Sequence, residues 1–170
     1  MELDNFGSTK IMEDNTEITD HLVKYISLII FGYEFFQTLH WASKGASFYS
    51  DHQLYDKIYY SIYNEVDRLS EKSIALSGIE SINPFEICKN KSLLYENLIS
   101  KFNLSLSEGE MAEYALFVIA CLMDKTLELN KKLEEQNMLT LGFQDLLPKI
   151  YGDMEGHMYL LKRRLSNKKD

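Results

Sequence analysis

Residues 47–78 read SFYSDHQLYDKIYYSIYNEVDRLSEKSIALSG, and their spacing decides the fold. Leu54, Tyr55, Ile58, Ile62, Val66, Leu69 and Leu76 recur mostly at three- and four-residue steps, the signature of one buried helix stripe. Ser47 can cap the start, the helix is expected to reach Ala75 or Leu76, and Gly78 is its stop signal. A second stripe lies on the other side. At about 100° per residue, Asp56, Tyr63, Asp67 and Glu71 fall within roughly 100° of His52. Tyr59 and Tyr60 lie between them. Acids on a helix face are ordinarily just solvated. Tyrosines interleaved with them fit an interface better than open water.

Working outward, the same periodicity precedes and follows this helix. From about Thr16, residues Leu22, Ile26, Ile29, Tyr33, Phe36 and His40 share one face, while Leu28, Phe31, Phe35 and Leu39 cover others. A helix apolar nearly all round must be packed on several sides, which points to burial beyond one intramolecular core, by a partner subunit. Ser43 to Ala46 form a short break. After Gly78 comes a long connection with its own short helix, opened by Asn83-Pro84-Phe85-Glu86. Ser107 and Glu110 have capping-box spacing and open a third long helix through Met111, Ala115, Val118, Leu122, Leu129 and Leu133. Thr140 can cap a fourth, reaching about Leu165, which Pro148 is expected to kink or delay. The predicted architecture is all-α: an antiparallel four-helix bundle with a short extra helix between long helices 2 and 3. Residues 1–16 are read as a flexible acidic tail, 17–166 as the bundle, and 167–170 as a short basic end.

Composition agrees with this reading. The 170 residues suffice for one domain. Only 8 Gly and 2 Pro are present, too few for the frequent turns of a β-sandwich. The net charge of -8 opposes binding to nucleic acid or anionic membrane. The basic C-terminal end (Lys162, Arg163, Arg164, Lys168, Lys169) is read as complementing the helix dipole, with weak, non-specific contact to DNA at most. Cys88 and Cys121 are too few for a disulfide framework and read as packing thiols. The first twenty residues carry no apolar stretch, and no uninterrupted apolar run reaches the ~20 residues that span a membrane. The expectation is therefore a cytoplasmic protein.

His52 with Asp56, and Asp67 with Glu71, are pairs four residues apart, each on one face. Imidazole with carboxylate suits iron, manganese or zinc. Asp56 and Asp67 are separated by about 16 Å along the axis. Ligand bonds are near ~2 Å, so the two pairs of one chain cannot hold one metal centre. His52 and Glu71 are equidistant from the midpoint between Ser61 and Ile62, and so are Asp56 and Asp67. A two-fold mate of the same helix would bring the pairs together. Asp153 and His157 are also four apart but have no second pair in register, so His157 is read as a packing or surface residue. Glu34 is read as pointing out of the bundle.

The stretch 40–78 resembles the Dps family of mini-ferritins. That pattern has His-Trp, a Gly, a Phe, a second His twelve residues after the first, an Asp four further on, then an Asp-x-x-x-Glu. Here it is filled by His40-Trp41, Gly45, Phe48, His52, Asp56, Asp67 and Glu71. More loosely, the short linking helix and the final run from Thr140 to Tyr159 extend the resemblance over about 18–165. It implies a ferritin-like bundle, assembled as a homo-oligomeric shell of twelve subunits. Each ferroxidase centre would be shared, with His40, His52 and Asp56 from one chain and Asp67 and Glu71 from its partner, and Trp41 beside it. These five residues would be both the metal ligands and the catalytic set. Iron would be oxidised from ferrous to ferric by peroxide or oxygen and stored as mineral. Three positions depart from the pattern: Asp51 stands in place of Leu, and Ser70 and Lys72 in place of Ala and Arg. Asp51 is expected to add charge beside the site. The alternative reading is a ferritin-like assembly module that forms a dimer or cage without turning over iron.

Overall fold

The computed structural model describes residues 8–166, with side chains from Thr16 onward. Five helices follow one another: α1 (Ser8–Ala42), α2 (Phe48–Ser77), α3 (Pro84–Leu98), α4 (Glu108–Glu135) and α5 (Leu141–Ser166). A single 3-10 turn, Ile79–Ile82, joins α2 to α3. No strand occurs among the described residues. The helix α1 begins ahead of the expected start at Thr16. Residues 8–15 contain neither Gly nor Pro, so nothing there breaks the helix. The rest of the expected tail, 1–7, and the expected basic end, 167–170, lie outside the described residues.

The four long helices pack as antiparallel neighbours. Along α1 and α2, His40 meets His52 at one end, and Tyr33 meets Tyr59 farther along. Along α2 and α5, Asp51 meets Arg164 and Glu65 meets Lys149. Between α1 and α4, the Tyr25 and Thr126 hydroxyls are 2.7 Å apart. Gly32 allows these two helices to come close, since a Cβ there would stand 3.2 Å from Leu122. Fully buried Leu22, Phe36, Ile58, Ile62, Leu122, Leu133, Phe143 and Leu146 come from all four helices and fill the centre.

Local signals act largely as the sequence predicts. Ser107 and Glu110 form the reciprocal capping box of α4. Asn83 accepts from the Phe85 N–H, with Pro84 in the first turn of α3. Gly78 ends α2 at φ 92°, a region that favours glycine. Two signals behave differently. Ser47 occupies the cap position of α2 but its side chain caps nothing. Pro148 does not delay α5, which starts at Leu141 and runs through it. The loss of one backbone bond is offset there by the burial of Leu146, Leu147 and Ile150.

The all-round apolar character of α1 has an intramolecular cause. Its outer side is roofed by α3 and the segment after it. Tyr95 stands edge-on to Phe31 with ring centroids 4.9 Å apart, and Phe102 stands edge-on to Phe35 at 5.2 Å. A partner subunit is not needed to cover these positions. Glu34 points out of the four long helices, toward α3, where Lys91 donates to it at 2.5 Å. By length and composition Thr16–Ala42 could cross a membrane, yet 67% of its most apolar window is buried inside the bundle. It is a core helix.

Candidate metal centre

His40 sits in the last turn of α1 and His52 in the second turn of α2, so the tight α1–α2 hairpin sets them side by side. Their rings stack with centroids 3.7 Å apart. His40 Nδ1 lies 3.0 Å from the His52 carbonyl oxygen, and His52 Nδ1 lies 2.9 Å from the His40 carbonyl oxygen. A carbonyl can only accept, so each Nδ1 carries the proton. In the neutral imidazole this leaves each Nε2 with its lone pair. Fixing the ring and the tautomer through the far nitrogen is how a protein prepares a histidine to ligate a metal.

Asp56, one turn after His52, brings Oδ1 to 3.8 Å from His40 Nδ1 and is about one-third exposed. Tyr59 is buried against His40, Tyr33 and Tyr60, and so does not lie outward as its place on the stripe suggested. Its hydroxyl is pushed well above the usual phenol range by its contact with Tyr60, by burial and by Asp56. Phe48 stacks on the outer face of His52 at 5.3 Å. Around this group Trp41, Phe48, Tyr49, Tyr60 and Tyr63 are all exposed, from 48% to 75%. So many large apolar side chains beside one polar cluster mark an interaction face.

Of the five residues singled out by sequence, the fold brings three together: His40, His52 and Asp56. Asp67 and Glu71 lie farther along α2, both exposed and without an ion pair or hydrogen-bond partner among the described residues. Within a single chain, no three of the described His, Cys, Asp and Glu side chains form a group able to hold a metal ion. The chain thus carries these residues as two separate groups, the first spanning α1 and α2 and the second on α2 alone. One contains two imidazoles and a carboxylate, the other two carboxylates.

Asp51 corrects an expectation. It is 2% exposed and faces inward, where it accepts from Arg164 Nε at 2.6 Å and from Nη2 at 2.9 Å. Its charge is therefore neutralised inside the bundle rather than added beside the site. A signal was present: Asp51 precedes Tyr55 by four residues and Ile58 by seven, in phase with the core stripe. Arg164 is likewise engaged with a specific carboxylate and does not serve the α5 dipole alone. Glu65 repeats the pattern. It is buried in phase with Ile58, Ile62 and Leu69, bonds Lys149, and is met by Arg68 at 3.2 Å. His157 is buried, so the packing reading holds. Its Nε2 has no hydrogen-bond partner among the described residues, and burial lowers its pKa from the ordinary histidine value.

Comparison with known proteins points in one direction. The chain is 24% identical over 153 residues to DNA protection during starvation protein 2 of Bacillus anthracis, spanning 89% of this chain and 93% of that protein. Its fold matches Dps from Thermosynechococcus elongatus with a TM-score of 0.77 at 18% identity, covering 92% and 95% of the two chains. It matches an archaeal Dps homologue from Halobacterium salinarum with a TM-score of 0.73 at 15% identity, covering 90% and 81%. No protein-family model matches the chain.

Proposed function

We propose that this Dps-like chain, a ferritin-like bundle in fold, oxidises ferrous iron at centres shared between two subunits and stores the ferric product. The observation that carries the reading is the reciprocal lock of His40 and His52 on each other's backbone carbonyls. It occupies both Nδ1 atoms and leaves both Nε2 lone pairs unspent, while the Asp56 carboxylate stands 3.8 Å from His40 Nδ1.

In this reading His40, His52 and Asp56 of one subunit face Asp67 and Glu71 of the partner subunit. Iron is the substrate. Each ferrous ion gives up one electron, and hydrogen peroxide accepts two, so two ferrous ions are consumed for each peroxide reduced to water. The carboxylates supply hard oxygen ligands that favour the ferric product over the ferrous substrate. The exposed aromatic face of α2 and Trp41 forms the contact between subunits, and the assembly is a homo-oligomeric shell of twelve. The protein works in the cytoplasm and lowers oxidative damage by consuming ferrous ion together with the oxidant.

The test uses purified protein, ferrous ion, and either hydrogen peroxide or oxygen, with native mass and iron content measured alongside. The expected result is a large shell that consumes ferrous ion faster than buffer does, and a His52→Ala shell of the same mass that does not. A correctly assembled protein with no ferrous oxidation above buffer would favour the assembly-module reading.

A further inference from the structure

The N-terminus of α2 is held in an unusual way. Its cap residue Ser47 makes no side-chain cap, and the loop before it passes through Gly45 at φ 72°. The carboxylate of Glu108 takes over, accepting from the Ser47 N–H at 3.1 Å. A Cβ at Gly45 would stand 2.8 Å from that carboxylate, so the glycine makes room for it. The next fixed point is Asp51, gripped by the Arg164 fork through two hydrogen bonds. Arg164 Nη2 also lies 3.9 Å from Glu108. The first turn of α2 is thereby tied to α4 through Glu108 and to α5 through Arg164. His52 is the very next residue after Asp51.

We propose that Asp51, held by Arg164, is a positioning residue for the His40–His52 pair. The two imidazole–carbonyl bonds require α1 and α2 to keep one register within a few tenths of an ångström. The hairpin loop does not impose that register, because its glycine is permissive and its cap is unmade. The Arg164 fork sets the α2 side of that register, since its two charge-assisted bonds fix the turn that carries His52 against α5 in position and angle together. Buried ion pairs are weak sources of net stability, and a well-packed apolar replacement is often as stable. Specification of geometry is what such a replacement would lose.

The metal-binding arm of the test rests on the proposed function, whereas the tautomer arm does not. Asp51→Leu combined with Arg164→Leu removes the clamp without stranding a buried charge. Nitrogen-15 NMR of the imidazoles in metal-free protein reads the tautomers, and cobalt(II), a spectroscopic probe of the site, reads metal affinity. The expected result is a folded variant whose His40 and His52 no longer hold a single Nδ1–H tautomer. Its cobalt(II) affinity should fall about 10- to 100-fold, the usual effect of losing an outer-shell support. Asp51→Asn keeps one acceptor for the fork and should restore part of both. A folded double variant with unchanged tautomers and unchanged affinity overturns the proposal. If the wild-type protein binds no cobalt(II), the functional reading fails, and the tautomer comparison alone decides the positioning role. If the double variant does not fold, Asp51→Asn is judged against wild type, and unchanged tautomers there also overturn it.

Discussion

His40 and His52 illustrate what a single side chain must satisfy to become a ligand. Each has two nitrogens, and each spends one on a backbone carbonyl. His157 is the contrast. It is 4% exposed, its Nε2 is unpartnered among the described residues, and burial depresses its pKa, with Asp153 opposing the shift and Lys57 adding to it. Below the ordinary histidine range the unfolded chain takes up a proton that the folded chain resists, so acidification favours unfolding. We predict that stability falls as pH drops from 7 to 5, and that His157→Met flattens this dependence. Urea titrations of both proteins across the range check it. An equally steep loss in the variant would assign the acid sensitivity to other groups.

The helix α3 shows how an element can matter for its position rather than its own stability. None of its residues is buried, yet it roofs Phe31 and, with the segment after it, Phe35. Its backbone amides should exchange with solvent before those of α1 and α4, because little buried area holds it down. Phe35→Ala, which opens a cavity under this roof, should cost about 3–5 kcal/mol in denaturant unfolding. A cost below about 1 kcal/mol would mean that the roof collapses onto α1.

The same scale explains what the chain disclosed in advance. Period-3.6 stripes, the Ser107–Glu110 box and the Asn83-Pro84 start place the helix ends within a few residues, apart from the start of α1, which lies at Ser8 rather than Thr16. They do not reveal which neighbour covers an apolar face, so the outer side of α1 pointed to a partner subunit when α3 covers it. Asp51 and Glu65 were in phase with the core stripe, but their partners, Arg164 and Lys149, lie 113 and 84 residues away. No local pattern joins residues at that separation. His40 and His52 were legible as a spacing of twelve across a hairpin, but their carbonyl lock depends on rotamers that spacing does not encode. Asp67 and Glu71 were legible only as a second pair on the same face.

For the whole molecule, net charge and assembly dominate. The charge of -8 opposes a polyanion. One of the C-terminal arginines, Arg164, is 13% exposed and occupied by Asp51, which leaves the basic end weaker than its sequence suggests. Binding to plasmid DNA should be detectable only at low salt and absent near 0.15 M, where the screening length is about 8 Å. Gel retardation that persists at that salt would contradict this. The central claim is that each centre is built by two chains, because α2 sets Asp56 and Asp67 about 16 Å apart. The most direct test mixes two inactive variants, one with His52→Ala and Asp56→Ala, the other with Asp67→Ala and Glu71→Ala. Co-refolded, each mixed dimer holds one centre damaged on both sides and one intact centre. The account predicts that ferrous oxidation returns to about a quarter of wild type when chains pair at random in two-fold dimers. Mixed dimers that form, as shown by native mass, and yet recover no activity would contradict it.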